Sequence, residues 1–273
     1  MQLGIKHSAN AGDIIYTLWA AKKLSLIYDK PVDYYQRLDV PAQYYEGAEH
    51  PTLDKSGKMV SFNRAMFDLM KPLIEALPFI NSFSAWKGER GINFDRIREI
   101  NMNQAFTDIR RWYSFVYPEL TYDYSLPVIN GLDILPKSIK VSERRKYEIT
   151  KDAIVVNKTS RYGNQNITYD FLNHVESDVY FVGTLDECYK FQNIVTKAKY
   201  IAVDNFLELA RYMYNAKLFI GNQSFCFSLA EAMKTPRILE VCPFCPNVSP
   251  VGPNGYEAYL QQGFEDLVAG LSA

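Results

Sequence analysis

Apolar runs alternate with polar turns through the second half of the chain. The runs are too short for helices, and each is followed by a turn and then by a helical pattern. The predicted strands are 153–156, 178–182, 200–203 and 218–220, and the helices that follow them are 168–175, a helix from Leu185, 206–214 and 225–233. Four such alternations within about 90 residues predict a parallel sheet with helices on both faces.

The N-terminal part opens with the same succession of elements. Residues 3–7 read as a strand, residues 8–12 as a turn of small residues, and residues 13–27 as a helix with an apolar face. Asp13 stands at the positive end of that helix, where a carboxylate is favoured. Weaker patterns then predict a strand at 32–35, a helix at 63–77, a strand at 79–86 and helical structure at 94–117.

Residues 137–151 hold six basic and two acidic side chains, a difference of +4. We interpret this run as a solvated linker between two domains. The predicted organisation is an N-terminal domain at 1–136, the basic linker, a C-terminal domain at 152–255 and a final helix at 256–273. A second interpretation stays open, in which the run is a patch for a phosphorylated or nucleic-acid acceptor.

Composition narrows the class of protein. The chain has 273 residues, 48% of them hydrophobic and 22% charged, as in ordinary globular proteins. A net charge of −1 provides no general attraction to nucleic acid or anionic membranes. No apolar run reaches the ~18 residues that span a bilayer, and the N-terminus lacks a signal-peptide pattern. We therefore expect a cytoplasmic protein.

Cys242 and Cys245 form a C-x-x-C pair. A zinc site needs further cysteines or histidines nearby, and the chain has only three histidines. A redox pair needs its first cysteine at a helix N-terminus, whereas Pro246 and a loop follow here. Inert cysteines are the favoured interpretation, with no metal and no cofactor. A disulfide oxidoreductase remains an alternative that requires a low pKa at Cys242.

The turn after residues 218–220 is a candidate anion site. Gly221 ends the strand, and Asn222, Gln223 and Ser224 precede a helix. A helix that begins just after a strand directs unpaired N–H groups and a positive dipole end towards a ligand, most often phosphate. The turns at 157–163, 183–184 and 204–205 should lie at the same sheet edge. The G-x-G-x-x-G fingerprint of dinucleotide sites is absent.

Two motifs resemble those of the heptosyltransferase-like glycosyltransferases, glycosyltransferase family nine. Gly12-Asp13-Ile14-Ile15 followed by Leu18 is similar to the N-terminal motif of that family. Residues 221–224, then Leu-Ala-Glu-Ala at 229–232 and Thr-Pro at 235–236, resemble its donor-site signature. The resemblance implies a GT-B fold, in which two Rossmann-like domains face a cleft. It also implies an inverting, metal-independent transfer of sugar from a nucleotide-sugar to a hydroxyl of a glycan, lipid-linked or other acceptor.

The resemblance assigns roles to particular residues. Asp13 would be the catalytic base, although it could instead only complement the helix dipole. The predicted donor-binding residues are Lys158, Arg161, Gly183, Thr184, Asn222, Gln223 and Ser224, although Lys158 and Arg161 could instead be ordinary loop surface. Residues 225–228 depart from the family pattern, which often has Gly-Pro and a histidine there. The chain is also short for the family. For both reasons the sugar of the donor is not assigned. Two further alternatives are a glycosyltransferase acting on nucleic-acid bases and a non-catalytic nucleotide-sugar binding protein.

Overall fold

The chain folds into two compact units, and the computed structural model describes residues 3–42 and 52–272. The first unit comprises residues 1–124 with residues 204–207. The second comprises residues 125–203 and 208–273. The basic segment 137–151 lies within the second unit, where its residues 141–146 form a short helix.

The first unit is built on a four-stranded parallel sheet. In chain order its elements are β1 Gly4–His7, α1 Ala11–Tyr28, β2 Val32–Gln36, α2 Arg64–Glu75, β3 Ile80–Ala85, β4 Ile92–Asn93 and α3 Trp112–Val116. Turns of 3-10 helix occupy Phe94–Glu99, Ile109–Arg111 and Pro118–Leu120. The strand order is β3-β2-β1-β4, and every pairing is parallel. The chain therefore adds strands on one side of β1 and then crosses to the other side for β4.

The remainder of the chain forms a six-stranded parallel sheet with its helices. In chain order the elements are α4 Gly131–Ile134, α5 Val141–Lys146, β5 Ile154–Asn157, β6 Val179–Phe181, α6 Leu185–Gln192, β7 Lys199–Tyr200, α7 Phe206–Asn215, β8 Leu218–Asn222, α8 Phe225–Met233, β9 Arg237–Glu240, β10 Gly255–Ala258 and α9 Gln261–Ser272. Turns of 3-10 helix lie at Tyr147–Thr150 and Asp170–His174. The strand order is β10-β9-β8-β5-β6-β7, again with parallel pairings only.

The central strands of the second sheet are completely buried. Every residue of β5, β8 and β9 is buried, as expected for parallel strands that are covered on both faces. Side chains from these strands pack with Phe181, Phe191 and Phe264 in one apolar core. Full burial of one such side chain stabilises the fold by about 1.5–3 kcal/mol. This buried core therefore fixes the positions of the carboxyl ends of the three strands.

A buried ion network fixes the end of α8 to the loop before β10. Glu231 accepts hydrogen bonds from Lys234 Nζ at 2.5 Å and from Arg237 Nε at 2.6 Å, and Glu231 and Arg237 are both completely buried. Arg237 also donates to the carbonyl oxygens of Val251 and Pro253 at 2.8 and 3.1 Å. Each charge is therefore paired and hydrogen-bonded, which is the condition for keeping charges in a protein interior.

The predicted α/β fold with parallel sheets is confirmed, and three local predictions were wrong: the start of the final helix, the helix at 168–175, and the strand at 200–203, where the strand is Lys199–Tyr200. The predicted final helix from Tyr256 begins only at Gln261, because residues 255–258 form β10 and pair with β9. The predicted helix at 168–175 is a 3-10 turn, whereas the helical structure predicted within 94–117 is present as 3-10 turns and the five-residue α3. Short elements of this kind are stabilised by their neighbours rather than by their own periodicity.

Candidate functional site

The carboxyl ends of β5 and β8 form the switch point of the second sheet. The chain runs from β5 through β6 to β7 on one side and then crosses to β8 on the other side of β5. Asn157, the last residue of β5, pairs in register with Gly221, and Asn222 pairs with Glu240 at the end of β9. Ligands of open α/β sheets bind at such a point, where the strand order reverses.

Asn222 fastens the loop after β5 to the end of β8. Its side-chain oxygen accepts the Thr159 amide hydrogen at 3.0 Å, and its Nδ2 donates to the Thr159 and Arg161 carbonyl oxygens. The residue is completely buried. Asn222 therefore lies at the predicted site, and its side chain shapes the loop that carries Lys158 and Arg161.

Ser224 is the N-cap of α8. Its Oγ accepts the Phe227 amide hydrogen at 3.2 Å, as expected for serine at a helix start. The helix that follows has nine residues, all but Phe225 buried. The sequence predicted the helix bounds and polar residues before them, and the helix begins directly at the switch point.

Gln223 contacts the loop that contains the cysteine pair. Its Nε2 donates to Asn247 Oδ1 and lies 4.0 Å from Cys245 Sγ. All four cysteines are free thiols, and burial raises the pKa of Cys245. A raised pKa is opposite to what a reactive thiol requires, so Cys245 does not have the environment of a redox cysteine.

Lys158 forms an ion pair with the buried carboxylate of Glu240. Lys158 Nζ lies 2.5 Å from both oxygens of Glu240, which also accepts from the Tyr169 hydroxyl at 2.7 Å and from the Asn164 amide. Glu240 is completely buried, whereas Lys158 keeps part of its side chain exposed. The charge of Lys158 is therefore already balanced within the protein.

Arg161 lies at the far end of the same loop and is partly exposed. Its guanidinium carbon is 5.7 Å from the centre of the Tyr162 ring, and its carbonyl oxygen accepts from Asn222. A guanidinium can bind two phosphate oxygens at once. The partly exposed guanidinium of Arg161 therefore has the geometry for a phosphate contact at this edge.

Gly183 and Thr184 form the turn between β6 and α6. Gly183 has φ +144°, and a Cβ there would lie 2.8 Å from Asn157 Nδ2, so only glycine fits without strain. Thr184 caps α6 in a reciprocal capping box with Glu187. Both residues lie at the carboxyl edge of the sheet, beside the end of β5.

Asn157 lies at the same sheet edge, and sequence reasoning did not single it out. Its Nδ2 donates to the Val182 carbonyl at 2.7 Å, and its buried Oδ1 has no hydrogen-bond partner among the described residues. Buried polar atoms are almost always paired. The Asn157 Oδ1 is therefore an acceptor at the switch point that can receive a hydrogen bond from a ligand or water.

Asp13 lies at the switch point of the first sheet. It is in the first turn of α1, directly after β1, and it is partly buried. Asn10 Nδ2 lies 3.4 Å from its Oδ2. The strand order reverses between β1 and β4, so Asp13 stands at the carboxyl edge of the first sheet. In the second sheet, the start of α8 has the equivalent position.

A second carboxylate, Asp95, follows β4 at the same edge. Its Oδ1 accepts the amide and hydroxyl hydrogens of Ser8 at 2.8 and 2.7 Å, and Arg37 lies 3.4 Å from its Oδ2. Burial alone would raise the pKa of Asp95, but His7, the Ser8 hydrogen bonds and Arg98 outweigh it and hold the pKa below its usual value. Sequence reasoning missed Asp95 because its role depends on pairing between distant strands.

His7 is buried beside Asp95 as a neutral ring at neutral pH. Burial lowers the pKa of His7 to about 4, although the carboxylate of Asp95 opposes this shift. Its Nε2 lies 3.4 Å from the Tyr113 hydroxyl and 3.9 Å from Asp95 Oδ1.

Other features of the described residues lie away from these edges. A cavity of about 430 Å³ in the first unit is lined by Arg111, Ser114, Phe115, Thr121, Tyr122 and Tyr124, and it contains none of the predicted site residues. Within residues 3–42 and 52–272, no group of three or more metal-ligating side chains is positioned to hold a metal ion. In the same ranges no helix has the length and apolar character needed to cross a membrane.

No family model matches the chain, and no curated protein matches it. Solved structures do. A glycosyl transferase family 9 protein from Veillonella parvula has a TM-score of 0.61 and 11% identity, covering 99% of this chain and 92% of its own. The E. coli heptosyltransferase WaaC, solved with ADP-2-deoxy-2-fluoro heptose, has a TM-score of 0.54 and 9% identity, with 99% of each chain covered.

A third similar structure is the dodecameric glycosyltransferase TibC from enterotoxigenic E. coli, which is described as iron-containing. It has a TM-score of 0.55 and 11% identity, covering 94% of this chain and 65% of its own. At these identities the similarity establishes the fold, and function has to be argued from the site. The GT-B type α/β fold that the motifs implied is confirmed.

Proposed function

We propose that this chain is a glycosyltransferase that moves a sugar from a nucleotide-sugar donor to an acceptor hydroxyl. One observation carries the proposal: each sheet presents one of the two predicted motifs at its switch point. Asp13 follows β1 in the first unit, and Ser224 caps α8 after β8 in the second. The similarity in fold to family 9 structures, among them a heptosyltransferase with an ADP-sugar analogue, supports this assignment.

We assign the donor to the second unit. The N-terminus of α8 and the guanidinium of Arg161 would receive the diphosphate, because both attract anions. The unpaired Asn157 Oδ1 would accept a hydrogen bond from a hydroxyl or amino group of the donor. Lys158, held by Glu240, would shape the loop rather than neutralise phosphate.

We assign the base to Asp13. The acceptor oxygen forms a bond to the anomeric carbon, the bond from that carbon to the diphosphate oxygen breaks, and Asp13 takes the acceptor proton. A positioned base of this kind accelerates reactions by about 10²–10⁴-fold. The leaving diphosphate gains negative charge, which the α8 terminus and Arg161 stabilise. A single displacement inverts the anomeric centre, and these groups supply the charge stabilisation without a bound metal.

The first experiment identifies the donor. A thermal-shift screen over ADP-, UDP-, GDP-, CMP- and TDP-sugars should stabilise the protein with one nucleotide, by about 2.7 kcal/mol at 100 times its Kd. Calorimetry then gives the donor affinity. Stabilisation by none of them would contradict the proposed function.

The second experiment tests the base. Asp13→Asn keeps the side-chain size but cannot accept a proton, so we expect kcat to fall about 10²–10⁴-fold. Donor affinity should stay unchanged, and stability should fall by only about 0.3–1 kcal/mol. Unchanged turnover would mean that Asp13 only complements the helix dipole. Donor binding without turnover in the wild-type chain would favour a non-catalytic binding protein.

A further inference from the structure

The turn that carries Asp13 is tied to the loop after β4. Ile5 pairs with Ile92, and Lys6 pairs with Asn93, so the carboxyl ends of β1 and β4 are adjacent. Asp95 reaches across from the β4 side and accepts both the amide and the hydroxyl hydrogens of Ser8. Hydrogen bonds to an ionised acceptor are about twice as strong as neutral ones.

Each residue between β1 and α1 is held by a hydrogen bond. The Ser8 carbonyl oxygen accepts from Arg98 Nη2 at 3.4 Å, and the Ala9 carbonyl oxygen accepts from Gln36 Nε2 at 3.0 Å. The Asn10 carbonyl accepts the Ile14 amide hydrogen at 2.9 Å in the first bond of α1. Asp13 follows three residues after Asn10, so its backbone position depends on this turn.

Asp13 and Asp95 act on the same buried groups. Burial raises the pKa of Tyr34 and of Tyr113, and the charges of both carboxylates raise each one further. Asp95 also faces His7 on β1, Arg37 after β2 and Arg98 in the 3-10 turn after β4. The edge therefore holds two carboxylates, two guanidinium groups and one neutral imidazole.

We propose that Asp95 is a positioning residue for Asp13: it fixes the turn between β1 and α1, and its negative charge strengthens the attraction of Asp13 for a proton. The catalytic part of this inference rests on the proposed function. Asp95 is itself a poor base, because Oδ1 already accepts two hydrogen bonds and the carboxylate is held ionised. Both carboxylates act on Tyr34 and Tyr113, and a like charge favours protonation of a carboxylate, so Asp95 supports the base role of Asp13.

The test is Asp95→Asn, followed by two measurements that need no substrate. Carboxyl ¹³C NMR, with the Asp13 signal assigned from Asp13→Asn, should show a lower pKa for Asp13 than in the wild-type chain. The reason is that a neighbouring negative charge is lost while Arg37 and Arg98 remain. Hydrogen exchange should be faster for the amides of residues 8–14. With turnover established, kcat should fall about tenfold or more at constant donor Kd.

Asp33→Asn is a matched control. Asp33 is a buried carboxylate on β2 that accepts from Asn81 Nδ2 at 2.8 Å and from the Ser82 hydroxyl at 2.5 Å, but it pairs with Gly4 at the opposite end of β1. Its replacement should lower stability and leave both the Asp13 pKa and exchange at residues 8–14 unchanged. Equal effects of the two substitutions would overturn the proposal.

Ser8→Ala separates the hydrogen bond from the charge. It removes the hydroxyl that donates to Asp95 and keeps the carboxylate, so exchange at residues 8–14 should rise while the Asp13 pKa stays constant. If Asp95→Asn does not fold, unchanged exchange in Ser8→Ala overturns the proposal. If the wild-type chain shows no turnover, only the proposed function is contradicted. The NMR and hydrogen-exchange results would still decide the role of Asp95.

Discussion

Lys158 shows how a burial pattern changes the interpretation of a basic side chain. By sequence it was a candidate phosphate contact, but its partner Glu240 is completely buried and lies 82 residues away in the chain. Removing one member of a buried pair leaves an uncompensated charge, which costs more than the pair itself contributes.

We therefore expect Lys158→Met to lower the free energy of unfolding by about 3 kcal/mol. The double variant Lys158→Met/Glu240→Gln should recover most of that loss, because no buried charge is left alone. Arg161→Met is the comparison for binding and should weaken donor affinity about tenfold while changing stability less. Chemical denaturation and calorimetry measure both quantities. A stable Lys158→Met variant that has lost donor affinity would restore Lys158 as a ligand contact.

His7 predicts a pH dependence of stability. Its pKa is 6.5 in the unfolded chain and about 4 in the folded protein. Between these values the unfolded chain binds a proton that the folded chain does not, so stability falls as pH decreases through this range. We expect a loss of about 2–3 kcal/mol between pH 7 and pH 4.5.

His7→Gln should flatten this dependence, and the exposed residue His174 provides the control. Denaturant unfolding of His174→Gln should keep the wild-type slope of stability against pH. A His7→Gln variant with an unchanged slope would mean that other groups cause the acid destabilisation.

Among the secondary-structure elements, α8 was predicted correctly from residue 225 to residue 233. Gly221 and Ser224 before the helix and Pro236 after it are turn and cap residues, so the local sequence was enough to predict the bounds of α8. β10 was missed because four residues next to a helix carry little periodicity, and only pairing with β9 makes them a strand. Asp95 and Glu240 were missed for the same reason, since each acquires its partners from distant parts of the chain.

The α8 terminus can be tested with a charge. Ser224→Asp keeps a good N-cap and places a carboxylate where the donor diphosphate would bind. We expect donor affinity to fall at least tenfold, about 1.4 kcal/mol, with stability nearly unchanged. Ser224→Asn is the matched control, because it also caps the helix but adds no charge. Calorimetry should find near wild-type affinity for Ser224→Asn, and equal affinity of both variants would exclude α8 from the donor site.

Across the chain, charge is nearly balanced, and the basic segment 137–151 carries a local excess of +4. Part of this segment makes contacts within the second unit. Arg144 donates to the Leu135 and Pro136 carbonyls, and Lys146 pairs with Glu208. These contacts favour a structural role over a surface for a polyanionic acceptor.

We predict that replacing Arg144, Arg145 and Lys146 with Gln leaves donor affinity and turnover within a few-fold of wild type. Replacing Lys137, Lys140 and Lys151 makes the same charge change and should spare the contacts of Arg144 and Lys146, so it should cost less stability. Activity is measured over a salt series. A large loss in both variants, with steep salt dependence, would instead indicate a DNA or RNA acceptor.

The order of strands has a consequence for how the chain assembles during synthesis. In each sheet the first strand to leave the ribosome, β1 or β5, is an interior strand, and later strands are added to an edge that already exists. Until β8 emerges, one edge of β5 has no strand to pair with, and residues Ile154–Val156 of β5 are all apolar. Unpaired apolar edges promote association between chains. We expect chain fragments that end before Leu218 to aggregate. Premature release from the ribosome before β8 is made should therefore give insoluble fragments, and not a soluble, folded first unit followed by an unfolded segment.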